Sequence, residues 1–132
     1  MKILIIKNNM KLTKNFNLSE FQCKCGCEMP DNVLENVKLL AENLQMLRMF
    51  VKKPITVNSA YRCLKHNRVI GSNDTSQHPK GKAADIKVKG IEPNEIANIA
   101  EQLMDKGLFK IGGVGRYKTF THVDIRGKKA RW

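Results

Sequence analysis

Two short segments of the sequence combine residue types that bind a transition metal. The first contains His78 and Asp85, separated by a stretch in which Gly81 allows a turn tight enough to bring both side chains to one point. The second is His122-Val-Asp124, where strand alternation would turn both polar side chains to one face and into the same cleft. Two histidines and one carboxylate, with a fourth position left to water, are the ligands expected of a catalytic zinc site. We therefore predict that His78, Asp85 and His122 bind Zn²⁺.

Zinc bound in this way polarises a carbonyl group and activates water, which is the chemistry of hydrolysis. Neutral imidazole and carboxylate are both available as ligands near neutral pH. A single histidine is more often an ordinary surface or core residue. The combination of ligand types, glycine and spacing is what indicates a metal site.

The four cysteines offer a second set of metal ligands. Cys23, Cys25 and Cys27 lie in the segment CKCGC, and Cys63 stands alone further along the chain. Together they would form a structural zinc site. Their C-x-C-x-C spacing differs from the C-x-x-C of common zinc knuckles, so two other interpretations stay open. One is a disulfide between Cys63 and one of the three, and the other is a set of reduced thiols in a tight turn.

Two helices are predicted from apolar periodicity. Apolar residues recur at three- and four-residue spacings over 33–51, after a helix-start signal at Pro30 and before a stop at Pro54. The second helix is predicted to begin at Pro93, a favoured first position, and to end at the C-cap Gly107. Each helix would bury one face against the rest of the domain.

Short strands are predicted between and after these helices. They cover residues 55–57, 83–88 and 120–125, and the polar, glycine-containing segment 61–82 is predicted to be mostly loop. Gly112, with its neighbouring glycines, does not form a phosphate loop, because no Gly-Lys-Ser/Thr follows. The predicted fold class is α+β, with a small antiparallel sheet that carries the zinc site and packs with two main helices.

Length and charge limit the classes of function. The 132 residues fit one domain, predicted over 10–132, with residues 1–9 as an N-terminal extension before the second methionine. The net charge of +12 favours a polyanion: nucleic acid, anionic lipid or an acidic cell-wall polymer. No apolar run reaches the length of about 20 residues that membrane insertion requires, and the opening MKILII fails as a signal peptide.

The metal-binding segment also resembles a known family. It matches the pattern S-x-H-x-x-G-x-A-x-D of the zinc D-alanyl-D-alanine carboxypeptidases and related phage endolysins, which cleave D-amino-acid-containing peptides of peptidoglycan. The matching residues are Ser76, His78, Gly81, Ala83 and Asp85. Further matches to the small, phage-associated branch cover about residues 10–126 and lie at Leu18-Ser-Glu-Phe21-x-Cys23, Ser59-Ala-Tyr61-Arg62, Asn67, Gly115-Arg-Tyr117 and His122-Val-Asp124-Ile-Arg126.

The resemblance implies roles for individual residues. His78, Asp85 and His122 would be the zinc ligands. Arg62 is similar to the family arginine that faces the substrate, where a guanidinium stabilises the oxyanion or binds a terminal carboxylate. Ser76 and Asn67 are assigned to the substrate-binding region, where they order loops rather than react.

The general base departs from the family pattern. Some members have an acidic residue three positions before the last zinc histidine, and here that position is Thr119, which cannot act as a base. Asp124 is the best remaining candidate for a catalytic base. Its alternative role is to support a zinc ligand by hydrogen bonding.

The predicted function is a zinc metallopeptidase that hydrolyses peptidoglycan stem peptides, as a D-Ala-D-Ala carboxypeptidase or an endolysin-type endopeptidase. It would be a monomer, made in the cytoplasm without a signal peptide and released to the cell wall by phage lysis or a holin. One alternative is a weakly active or inactive relative that binds the wall, since the hedgehog signalling domain resembles this family. A nucleic-acid binder using CKCGC as a zinc knuckle leaves the histidines unexplained, and its aromatic content of 6% is low for a stacking platform, so no specific nucleic acid is expected. A cytosolic structural protein explains little.

Overall fold

One five-stranded sheet organises the computed structural model, which describes residues 10–132. In chain order the strands are β1 (Ile55–Ser59), β2 (Ala83–Val88), β3 (Gly113–Arg116), β4 (Thr121–Asp124) and β5 (Ala130–Arg131). Their order across the sheet is β1-β2-β4-β3-β5. All neighbours pair antiparallel except β3 and β5, which are parallel. The predicted α+β class with a mainly antiparallel sheet is therefore confirmed.

Three α-helices complete the fold. They are α1 (Asp31–Val51), α2 (Leu64–Val69) and α3 (Pro93–Asp105), with 3₁₀ turns at Leu18–Phe21 and His78–Lys80. The two main helices are those predicted from periodicity, and each buries its apolar stripe in a common core with the inner face of the sheet. None of the helices in the described part of the chain is long and apolar enough to cross a membrane.

One α-helix and two strands were not predicted. Helix α2 lies inside the segment 61–82 that was predicted to be mostly loop, because six residues are too few to show a helical period. Strand β3 is rich in glycine, and β5 has only two residues, so neither carries a strand signal. The predicted extension 1–9 lies outside the described residues, and the single domain over 10–132 stays a prediction.

The register of the sheet brings the site together. Asp85 on β2 lies directly opposite His122 on β4, and His122 lies opposite Gly115 on β3. His78 reaches the same place from the 3₁₀ turn, which ends at Gly81 with a left-handed φ of 73°. A Cβ atom at Gly81 would lie 2.7 Å from the Val33 side chain, so glycine is needed both for the turn and for its packing on α1.

Candidate metal centre and its cleft

The three predicted zinc ligands converge on one point. One ligand atom from each of His78, Asp85 and His122 lies within 4.8 Å of the others. Asp85 Oδ1 is 3.0 Å from His122 Nδ1 and 3.4 Å from His78 Nε2. The two imidazole rings are 5.3 Å apart at an angle of 74°, so both nitrogens face the carboxylate without stacking.

Backbone contact orients the first histidine. His78 is 2% exposed, and its Nδ1 lies 2.6 Å from the carbonyl oxygen of Ala60. A carbonyl can only accept, so Nδ1 carries the proton and donates it. The lone pair is then on Nε2, the nitrogen that faces Asp85. This side chain therefore presents a metal-binding atom to the site.

A carboxylate orients the second histidine. His122 Nε2 lies 2.7 Å from Asp124 Oδ2, so Nε2–H donates to that oxygen and Nδ1, 3.0 Å from Asp85 Oδ1, is the nitrogen left to bind a metal. Hydrogen bonding of the distal ring nitrogen to a carboxylate is typical of zinc-binding histidines, because it selects the tautomer and raises the basicity of the ligand.

Asp124 is enclosed behind His122. Its side chain is fully buried and is not among those that line the cleft described below. Besides His122, the carboxylate accepts from the backbone N–H of Gly113 at 2.7 Å and from Arg126 Nε and Nη2 at 2.9 and 2.7 Å. A Cβ atom at Gly113 would lie 2.4 Å from Asp124 Oδ2, so the glycine allows the strands to approach. This geometry favours the supporting role, and the general-base role of Asp124 stays a prediction.

The electrostatics of the three ligands suit a divalent cation. Burial alone would raise the pKa of Asp85, but hydrogen bonds and positive charge from His122 and His78 outweigh burial and hold the pKa well below its usual range. Burial alone would lower the pKa of His122, yet its hydrogen bonds to Asp124 and Asp85 prevail and raise that pKa. Without a metal, protonation of the His122 imidazole would place a positive charge between the carboxylates of Asp85 and Asp124. Two imidazoles and one carboxylate match the ligand preference of Zn²⁺, and a cation there would replace that proton.

An open cleft of about 500 Å³ lies over the ligands. Arg62 contributes to its wall and is 9% exposed, and its Nε has no hydrogen-bond partner among the described residues. Burial lowers the pKa of Arg62, while the negative charge of Asp85 opposes that effect. The guanidinium that lines the cleft is therefore largely desolvated, and a positive charge in such surroundings interacts strongly with anions.

Three aromatic side chains also line the cleft. Tyr117 and Phe120 stack with centroids 4.4 Å apart, and Trp132 Nε1 donates to the Tyr117 hydroxyl at 2.7 Å. The indole lies 4.8 Å from the His122 ring, and a Cβ atom at Gly115 would lie 2.6 Å from it. Sequence reasoning missed Trp132 because its place depends on β5 pairing with β3. Arg126 stacks over the same indole with its guanidinium 5.4 Å from the ring centre.

Ser76, Asn67 and Thr119 occupy different surroundings. Ser76 lines the cleft, and its hydroxyl accepts from the backbone N–H of His78 at 3.2 Å. Asn67 is fully buried on α2 outside the cleft lining, where its amide donates to the Asn73 carbonyl at 2.9 Å. Thr119 is exposed and lines a separate depression. Among the described residues that line the cleft, Asp85 is the only acidic one.

The four cysteines also come together. Their sulfur atoms all lie within 4.8 Å of one another, and all four thiols are free. The cluster is distinct from the His–Asp–His centre, but Cys63 directly follows Arg62 in the chain.

A family model described as Peptidase M15 matches residues 14–124, a stretch that includes every predicted zinc ligand. The resemblance to the zinc D-alanyl-D-alanine carboxypeptidase type is thereby confirmed. None of the curated proteins compared with the sequence matches it.

Proposed function

The chain belongs to the Peptidase M15 family, and from this premise we propose that it is a zinc metallopeptidase acting on bacterial peptidoglycan peptides. The observation that carries the proposal is the convergence of His78, Asp85 and His122 at the base of an open cleft. The metal-binding nitrogen of each histidine faces Asp85, because the other ring nitrogen is hydrogen-bonded. In His78 that bond is to the Ala60 carbonyl, and in His122 it is to Asp124. Catalytic zinc sites have such a three-ligand set with an accessible position.

His78 Nε2, His122 Nδ1 and Asp85 would hold the ion. Zn²⁺ bound there supplies a Lewis acid for the scissile carbonyl and makes water a nucleophile near neutral pH. Asp124 accepts from His122 Nε2–H and so keeps Nδ1 as the metal-binding nitrogen. Arg126 donates to the same carboxylate and stabilises its negative charge.

Arg62 would bind the negative charge of the substrate. Stem peptides carry carboxylates, and the largely desolvated guanidinium that lines the cleft would bind a terminal carboxylate or the developing oxyanion. Tyr117, Phe120 and Trp132 would pack against the peptide and exclude water from one side of the cleft. Carboxypeptidase action on D-Ala-D-Ala and endopeptidase action on other D-amino-acid-containing bonds both fit this arrangement.

A second candidate function is a zinc-bearing wall-binding module with little or no catalysis. One specific observation favours it: apart from the ligand Asp85, no acidic side chain lines the cleft in the described part of the chain. Proton transfer from water would then have no dedicated carboxylate base. The two functions are distinguished by whether a peptide bond is cut.

The test is mass spectrometry of purified peptidoglycan after incubation with the protein. Wild type is compared with His78→Ala and with Thr119→Ala, whose exposed side chain lies outside the centre. New peptide fragments with wild type and Thr119→Ala, lost with His78→Ala or a chelator and regained with Zn²⁺, would establish the peptidase and identify the bond. Intact peptide bonds with one zinc ion bound at the centre would instead favour the binding module.

We also propose that the protein acts at the cell wall. The net charge of +12 supports this, because anionic wall polymers would concentrate a cationic enzyme. Release by phage lysis or a holin is part of the same proposal. Wall binding and turnover should both fall as salt rises, since exposed charges are screened within about 10 Å at 0.1 M ionic strength. Activity on intact walls that is independent of salt would count against the electrostatic part.

A further inference from the structure

Four thiols from two distant segments come together in one compact group. The Sγ atom of Cys25 is 3.2 Å from that of Cys23 and 3.5 Å from that of Cys63, and the Cys23–Cys63 distance is 3.9 Å. The Sγ atom of Cys27 also lies within 4.8 Å of the other three sulfurs. Four sulfurs around one zinc ion lie about 3.8 Å apart, because Zn–S bonds are about 2.3 Å long. The cluster therefore has the dimensions of a tetrathiolate site.

Local structure holds the sulfurs in this arrangement. In the CKCGC turn Gly26 has a left-handed φ of 84°, and its N–H donates to the Cys23 carbonyl at 3.1 Å. This lets three alternate side chains point to one side. Cys63 meets them from the start of α2, where its sulfur accepts from the backbone N–H of His66 at 3.4 Å.

Donors around the cluster suit thiolates. The N–H of Cys63 points at the Cys23 sulfur over 3.4 Å, in addition to the N–H of His66 on Cys63. The shallow depression over the sulfurs is lined by Lys65 and His66. Hydrogen bonds and the nearby ammonium of Lys65 stabilise negative charge on sulfur. They would offset the net negative charge of four thiolates around a divalent ion.

From this geometry we propose that Cys23, Cys25, Cys27 and Cys63 bind a structural Zn²⁺ ion, separate from the ion of the catalytic centre. Four protein ligands leave no open position, which is the form of a structural and not a catalytic site. Soft sulfur ligands select zinc over magnesium or calcium. Binding forms four S–Zn bonds, releases the thiol protons to solvent and requires no oxidant or reductant.

The ion would link the N-terminal segment to the substrate-binding loop. Cys63 lies between Arg62, which lines the cleft, and α2, whose buried Asn67 anchors the following loop. This region also bonds to the segment before α1 through the Tyr61 N–H, which donates to the Phe21 carbonyl at 3.0 Å. Loss of the ion should therefore displace Arg62 without removing the catalytic ligands.

The experiment measures metal per chain in the full-length protein purified under reducing conditions. Wild type should contain two zinc ions, and the His78→Ala/His122→Ala variant should keep one. Adding Cys25→Ser and Cys63→Ser to that variant should remove the remaining ion. Lys24→Ala is the matched control, because this exposed residue lies between two of the cysteines but offers no sulfur ligand.

Cobalt substitution in wild type avoids dependence on any variant that fails to fold. Co²⁺ bound by four thiolates produces intense sulfur-to-metal charge-transfer absorption, which nitrogen and oxygen ligands do not produce. Such absorption, together with two metal ions per chain, would support the site. The proposal would be overturned by a single metal ion without the charge-transfer bands, or by iron in place of zinc. It would also be overturned by an intact mass that shows the loss of two hydrogens to a disulfide. Each of these results would leave the proposal of the catalytic zinc standing.

Discussion

Replacing Asp124 with asparagine separates the two roles that this residue could have. The substitution keeps the shape of the side chain but converts one acceptor oxygen into an NH₂ donor. In the wild-type protein Oδ2 accepts from His122 Nε2 and Arg126 Nη2, and Oδ1 accepts from the N–H of Gly113 and from Arg126. In either orientation of the amide, the new NH₂ group therefore faces at least two N–H donors that the wild-type oxygen accepted from.

The magnitude follows from the metal-binding tautomer. If the NH₂ group faces His122 Nε2, the imidazole must place its proton on Nδ1, where the lone pair for zinc is needed. If the oxygen faces it instead, the Gly113 N–H loses its acceptor in a fully buried site. Loss of a partner that orients a ligand weakens metal binding by about 10- to 100-fold, which is about 1.4 to 2.7 kcal/mol. We expect the zinc dissociation constant of Asp124→Asn to rise by that factor.

The assay is zinc competition against a chromogenic chelator, followed by turnover of a peptidoglycan fragment at saturating zinc. For a supporting role, the affinity falls and turnover largely recovers once the site is filled. Asp105→Asn is the matched control, since it removes the same charge at an exposed position at the end of α3. An unchanged zinc affinity combined with turnover lost at saturating zinc would refute this reasoning and restore Asp124 as the general base.

Three further predictions follow from the same structure. Gly81→Ala should lower the free energy of unfolding by about 1–3 kcal/mol in urea titrations, because φ is 73° and the new Cβ would lie 2.7 Å from Val33; a change within error would contradict this. Arg62→Lys should reduce kcat/KM by about tenfold or more at unchanged zinc content, because lysine lacks the planar set of N–H donors of a guanidinium. Kinetics equal to those of the wild type would exclude a contact of Arg62 with a substrate carboxylate or oxyanion. Asp85 and Asp124 both have pKa values in the folded state that lie below the unfolded value of about 3.9. The two carboxylates should therefore stabilise the metal-free protein above about pH 4, and this stability should be lost as the pH falls. Unfolding curves that coincide at pH 6 and pH 3 would show that these carboxylates are not held in this way.

Part of the centre could be read from local sequence. His78, Gly81 and Asp85 lie within one short segment, where ligand type and a turn glycine already indicate a metal site. The helices α1 and α3 were predicted because an amphipathic helix repeats its apolar residues over many turns. The short strands β3 and β5 have no comparable signal, since β3 has four residues of which two are glycine and β5 has only two residues.

The surroundings of the ligands depended on contacts between distant residues. Strand alternation predicted that His122 and Asp124 share a face, but only the packing of β3 and Arg126 around the carboxylate showed that Asp124 is buried behind the imidazole. Trp132 reaches the cleft because β5 continues the sheet beside β3 and the indole fits over Gly115.

The candidate metal ligands, the main helices and the α+β class follow from residue type and from repeats within one segment, so they could be predicted before the fold was known. Tertiary contacts set which nitrogen of each histidine faces Asp85 and bring the aromatic side chains to the cleft. They also bring Cys63 to the CKCGC turn, to which it is not adjacent in the chain. Such features depend on strand register and on side chains that meet only after the chain has folded.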